Sequence, residues 1–200
     1  NRAERQFVIL LSSNEDPTQR ELISECLDQA ICFLDASAAV LQLYDGANIR
    51  LKSEVNVPEW IRPYLTHSRD RGAAGLCLAK KSPIAISDVR KDRRCDIGLE
   101  GYICFAGLLS VPISLHSSVV GILTVLDGLP RRFKDSESKA LSYLGANLIL
   151  TLHHSLYFPE LGEQWLNLSK VHAKMLDSEE FGLRASFLIE RTRHGKCIYR

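Results

Sequence analysis

RGAAGLCLAKKSPIAISDVRKDRRCDIGLEGYICFAGLLSVPISLHSSVVGILTVLDGLPRRF, residues 71–133, decides how the rest of the chain is read. Gly72 and Gly75 mark a tight turn into the short apolar run Leu76-Cys77-Leu78-Ala79, which Lys80-Lys81-Ser82-Pro83 halts. Ile84-Ala85-Ile86 reads as a short strand ending at Ser87-Asp88. Residues 88–104 carry charge with little periodicity and read as an irregular segment with a helical turn. Residues 108–115 and 119–127 are dominated by Leu, Val and Ile and read as two strands joined through His116-Ser117-Ser118. Phe133 closes the stretch, just before an acidic helix start.

Upstream, Phe7, Leu10 and Leu11 among charged residues predict a short helix over 1–11. Asp16-Pro17 supplies a cap and a first-turn proline for a second helix to about residue 34. Its apolar face is Leu22, Ile23, Cys26, Leu27, Ala30 and Phe33. Residues 37–44 and 49–57 read as strands of a hairpin turned by Asp45-Gly46-Ala47-Asn48. Pro58-Glu59-Trp60 opens a short helix to about Thr66, and 67–72 reads as a loop. Downstream, Asp135 or Ser136 caps a long helix whose stripe is Leu141, Leu144, Leu148, Leu152 and Leu156. Pro159 ends it. Helices are predicted over 161–176 and 181–191, with 197–199 beginning a strand. The division is a domain over 1–158 and a helical extension or linker over 159–200 leading to a further domain. The chain opens without an initiator Met and reads as a segment of a longer protein.

Apolar residues make up 46% of 200 and charged residues 24%, enough for one sizeable core. The net charge of +1 gives no general pull toward nucleic acid or an anionic membrane, so neither contact is expected of this fragment. No apolar run reaches the roughly 18–20 residues that span a bilayer. Six cysteines without a Cys-x-x-Cys, and without a His at zinc spacing, read as reduced, mostly buried thiols of a cytoplasmic protein. No metal ligands are assigned.

The element order, a small antiparallel sheet with flanking helices, is α+β. The motifs Gly72 with Gly75, Pro83-Ile84 to Asp88, Ser110-Val111-Pro112-Ile113, Val119-Val120-Gly121-Ile122-Leu123 and Phe133 to Glu137 stand in the order of a GAF domain, which 18–156 resembles. The resemblance implies a six-stranded antiparallel sheet with the first and last helices paired on one face. It implies a roof of loops and short helices, 60–76 and 88–106, on the other, with a small ligand beneath it. Lining positions would be Cys77, Asp88, Val89, Cys104, Phe105, Leu108 and Thr124. An apolar wall with a few polar handles favours a small, mostly neutral organic molecule, whose identity the residues leave open. No Gly-rich phosphate cradle is present.

Function follows as an expectation: a ligand-sensing regulatory domain of a signal-transduction or transcription-regulating protein, relaying through its terminal helices, with no catalytic residues of its own. The Asn-Lys pair of cyclic-nucleotide-binding relatives is missing before Phe133, and no bilin-attachment motif is present. The alternative is a thiol enzyme similar to free methionine sulfoxide reductases. Cys77 stands near the resolving position and Cys95 or Cys104 in the loop of the nucleophile, where Arg93-Arg94 would favour a thiolate. That family's substrate-binding Glu has no counterpart in 105–109, and where it carries Asp-x-Asp after the Gly strand this chain has Val125-Leu126-Asp127. A dimerisation module without a ligand is a third reading. A homodimer through the first and last helices is expected, because one small sheet leaves part of the leucine stripe uncovered. His153-His154 point about 100° apart on a helix and cannot chelate one ion from one face. His172 and the pairs Arg93-Arg94 and Arg131-Arg132 read as solvated.

Overall fold

The computed structural model describes residues 2–13, 16–94 and 104–157. The helices and strand predicted beyond residue 158, together with Cys95 and Cys197, lie outside them. Helices α1 (Arg2–Ser13) and α2 (Pro17–Leu34) come first, then strands β1 (Ala38–Tyr44) and β2 (Asn48–Val55). A 3-10 helix, Glu59–Leu65, leads to the two-residue strand β3 (His67–Ser68), helix α3 (Gly72–Lys80) and strand β4 (Ile84–Ile86). Strands β5 (Gly107–Leu115) and β6 (Ser118–Asp127) and helix α4 (Asp135–Tyr157) complete the described chain.

Local chemistry sets the boundaries. Asp16 accepts a hydrogen bond from the Thr18 amide at 3.0 Å, capping α2 as its sequence requires. Asp35 ends α2 in the left-handed region at φ 48°, and the Ala36 amide returns to the Ile31 carbonyl at 3.0 Å. In the β1–β2 turn the Asp45 carboxylate accepts from the Ala47 and Asn48 amides at 2.9 and 2.7 Å. The start of α4 differs from the expected Asp135 or Ser136 cap. Lys134 is the cap position, and Glu137 reaches back to the Lys134 amide at 2.6 Å, the acidic half of a capping box. Residues 67–68, expected in a loop, pair with β2 instead.

The six strands form one antiparallel sheet in the order β3-β2-β1-β6-β5-β4. Alternation along the central strands splits the core in two. Ala39, Leu41, Leu43, Leu109, Val111, Leu123 and Val125 face α1, α2 and α4. Val40, Leu108, Ile122 and Leu126, with Ile84 and Ile86 of β4 on the same face, pack against the 3-10 helix and α3. The register steps from Ile113 opposite Gly121 to Ser114 opposite Val119, and beyond that bulge Val120 joins the helix-covered core.

The leucine stripe of α4 is used differently from expectation. Leu141, Leu148 and Leu152 are buried against the sheet, with Leu144 and Leu156 packed on the same core. Gly145 makes this close approach workable, since a Cβ there would lie 3.1 Å from Ile113. The apolar residues α4 leaves uncovered are Tyr143 and Leu150, 71% and 48% exposed.

Candidate functional site

The second face of the sheet gathers most of the positions expected to line a ligand site. Cys77, Val89, Phe105 and Leu108 belong to its core, and Cys104 packs against it. Thr124 occupies the same face between Ile122 and Leu126, by the two-residue period of β6. The covering elements follow from their sequences. Ile61 and Leu65 are the inward residues of the 3-10 helix, while Trp60 is 49% exposed rather than packed. Gly72 takes φ +66°, and a Cβ at Gly75 would meet the Arg69 carbonyl at 2.5 Å, so this turn into α3 needs both glycines.

Two polar residues on this face escaped the sequence reading. Ser110 lies directly opposite Thr124, and their hydroxyls share a hydrogen bond at 2.8 Å at 1% and 5% exposure. Gln42, 1% exposed in the middle of β1, donates from Nε2 to the Leu65 carbonyl at 2.6 Å. The available signal was parity: Gln42 and Ser110 each interrupt an apolar run at an inward position of an otherwise buried strand. Gln42 thereby ties the sheet to the 3-10 helix, and the Ser110–Thr124 pair sits at the centre of the face.

Two of the described thiols are buried and held protonated. Cys77 is fully buried, its Sγ directed at the Ser110 carbonyl at 3.7 Å, and burial pushes its pKa up to about 12. Cys26, between α2 and α4, is likewise raised to about 12 by burial and then by Glu25. Cys32, expected to be buried, is exposed.

Asp88 points the other way. Its carboxylate takes a two-pronged contact from Arg90, at 2.8 and 3.0 Å, and the Arg90 amide at 3.1 Å. Those Arg90 hydrogen bonds hold its pKa down to about 2 against burial. With Ser87 and 91–94 it borders an open depression of about 390 Å³. There Arg94 pairs with Asp92 and donates to the Ala85 carbonyl at 3.1 Å, covering the edge strand β4.

The rim is stitched to the helices. The Val89 amide donates to Ala106 at 2.7 Å, and the Ala106 amide to Asp127 at 2.7 Å. Arg131 joins four elements: its amide donates to the Ser87 carbonyl at 3.0 Å, and its guanidinium to the Asp35 carbonyl at 3.0 Å. The same guanidinium pairs with Asp127 and Glu137 and stacks 4.8 Å from the Phe133 ring centre. Arg131 is therefore a structural tie and not a solvated cation. Among the described residues no group of three side chains could hold a metal ion, and no helix is long and apolar enough to cross a membrane.

The GAF domain family model matches residues 16–153. No curated protein matches the chain. The GAF domain/HD domain protein from Geobacter sulfurreducens is 15% identical, with a TM-score of 0.61 over 76% of this chain and 99% of that one. A domain described as part of a two-component sensor histidine kinase protein from Sinorhizobium meliloti 1021 is 18% identical, with a TM-score of 0.58 over 72% and 97%. The type II free methionine-R-sulfoxide reductase from Thermoplasma acidophilum is 11% identical, with a TM-score of 0.57 over 68% and 96%. At these identities the likeness is one of fold.

Proposed function

Because the chain belongs to the GAF domain family, a family of sensory and signalling modules, we propose that it binds a small, mostly neutral organic molecule on the second face of its sheet and passes occupancy to α4. The observation that carries this reading is the buried Ser110–Thr124 hydroxyl pair at the centre of an apolar face covered by short elements instead of long helices. Two hydroxyls that satisfy each other with one proton still have a second proton and free lone pairs to offer. Cys77, Val89, Cys104, Phe105, Leu108 and Thr124 remain the proposed lining, with Ser110 added. Asp88, committed to Arg90, acts at the rim. Arg131 is the route outward, since it touches Ser87 beside the rim and Glu137 in the first turn of α4.

We place the module in a cytoplasmic signal-transduction or transcription-regulating protein and assign it no catalysis. A reductase cycle would use Cys77 as its resolving thiol, and burial opposes a thiolate there. Native mass spectrometry of the purified chain tests the reading. A discrete organic adduct that disappears on denaturation, and from the Ser110→Ala/Thr124→Val variant, is the expected result. A bare chain mass before and after incubation with a small-molecule extract would overturn it. Thiol-dependent turnover of free methionine sulfoxide in an NADPH-coupled assay would overturn the non-catalytic assignment.

A further inference from the structure

The covered face of the sheet gathers its polar groups in one place. Thr124 of β6 stands opposite Val40 of β1 on one side and Ser110 of β5 on the other, and Gln42 stands opposite Ile122, two residues along. Gln42 and Thr124 are therefore diagonal neighbours on this face, with a Cα separation of roughly 7–8 Å for such positions. Gln42, Ser110 and Thr124 are the buried polar residues of this face among the described residues. The other buried polar side chains, Glu4, Gln19 and Ser155, belong to α1, α2 and α4.

Gln42 uses half of its carboxamide. The Leu65 carbonyl can only accept, so the group that meets it at 2.6 Å is Nε2, and Oε1 lies on the other side of the carboxamide. Among the described residues that is the one hydrogen bond of the Gln42 side chain, although the residue is 1% exposed. Oε1 and the second N–H are left over, an acceptor and a donor in one plane. Leaving such groups unpaired in an apolar surround costs stability, and an occupant that hydrogen-bonds to them offsets that cost.

We propose, resting on the ligand reading of this face, that the molecule it takes is a neutral amide: a carboxamide, lactam or imide. Its N–H donates to Gln42 Oε1, and its carbonyl accepts from the free Gln42 N–H or from the proton that the Ser110–Thr124 pair leaves over. An amide edge carries the same donor and acceptor as Gln42 in the reverse sense, so each satisfies the other. A ketone of the same shape supplies only the acceptor and leaves Oε1 unpaired. A carboxylate or an ammonium meets no buried opposite charge on this face among the described residues, and Asp88 at the rim is taken by Arg90. Gln42 is thus the residue that sets specificity, and through Leu65 it also ties down the 3-10 helix that covers the site.

Matched probes titrated into the whole chain, followed by two-dimensional NMR, test the assignment: benzamide against acetophenone and benzoate, and pyrrolidinone against cyclopentanone. In each set the amide should bind about tenfold more tightly than its partners or better, and should move the Gln42 side-chain amide signals. Gln42→Met keeps the length of the side chain and removes both groups, and should bring each amide down to the affinity of its ketone. Equal affinities for amide and ketone in the parent chain, or a preference that survives Gln42→Met, would overturn the amide assignment and leave the ligand reading standing. Saturable binding by none of the probes would overturn it as well. Native mass spectrometry then separates the two readings: an adduct without an amide nitrogen keeps the ligand reading alone, and a bare chain removes both. The comparison of amide with ketone uses the parent chain, so it decides the matter even where Gln42→Met does not fold.

Discussion

At the residue scale, hydrogen-bonded pairs in the sheet decide more than isolated side chains do. Thr124→Val removes one hydroxyl and strands Ser110, which is 1% exposed, so it should cost about 1–3 kcal/mol in chemical denaturation. Ser110→Ala should cost a similar amount. The double variant removes both partners together, and its cost should fall short of the summed singles by about 1 kcal/mol. Strict additivity would show that the 2.8 Å contact contributes nothing. Thr124 was legible as an inward polar residue of an obvious strand. Ser110 was not singled out, because Leu109-Ser110-Val111 reads as a buried strand in which a small hydroxyl passes for packing. Asp88 was legible from the residues as the end of a short strand and as a lining position only through the family resemblance, and its pairing with Arg90 two residues on depends on the turn that the backbone makes there.

At the element scale, the sheet is organised by how closely β1 and β6 approach. A Cβ at Gly121 would lie 2.7 Å from the Gln42 carbonyl, a backbone atom that cannot swing aside. Gly121→Ala should therefore destabilise the fold by about 1–3 kcal/mol. Gly128→Ala is the matched control. Its nearest new neighbour is at 3.8 Å, and it should stay within about 0.5 kcal/mol of the parent in the same denaturation series. Equal costs for the two would show that the close approach is not what Gly121 serves. The strands themselves were readable from β-branched runs and turn residues, and α2 from its cap. The pairing of His67–Ser68 with β2 and the tie from Gln42 to the Leu65 carbonyl were not, since both depend on contacts with segments remote in the chain.

At the scale of the whole molecule, the helix layer has an inner and an outer side. The leucine stripe is consumed inside, and Tyr143 and Leu150, seven residues apart, form the apolar ridge that α4 itself leaves exposed. We propose this ridge as the contact for a second copy, in place of the stripe itself. Sedimentation at high micromolar concentration should give a dimer for the parent chain and a monomer for Tyr143→Ser/Leu150→Glu, with circular dichroism unchanged. A parent that sediments as a monomer, or a variant that remains a dimer, would remove the ridge from that role. The sequence by itself determined the α+β class, the hairpins, the helix starts and the order of motifs that identifies a GAF domain, because these depend on periodicity, turn chemistry and caps acting within a few residues. Only the tertiary structure decided which face each residue serves. Parity across a bulge moved Val120 to the helix side, a buried hydroxyl pair formed between strand residues fourteen apart, Arg131 joined four elements, and His116, His154 and Phe7 met around His153. Each of these needs distances between segments remote in the chain, and a one-dimensional pattern carries no such distances.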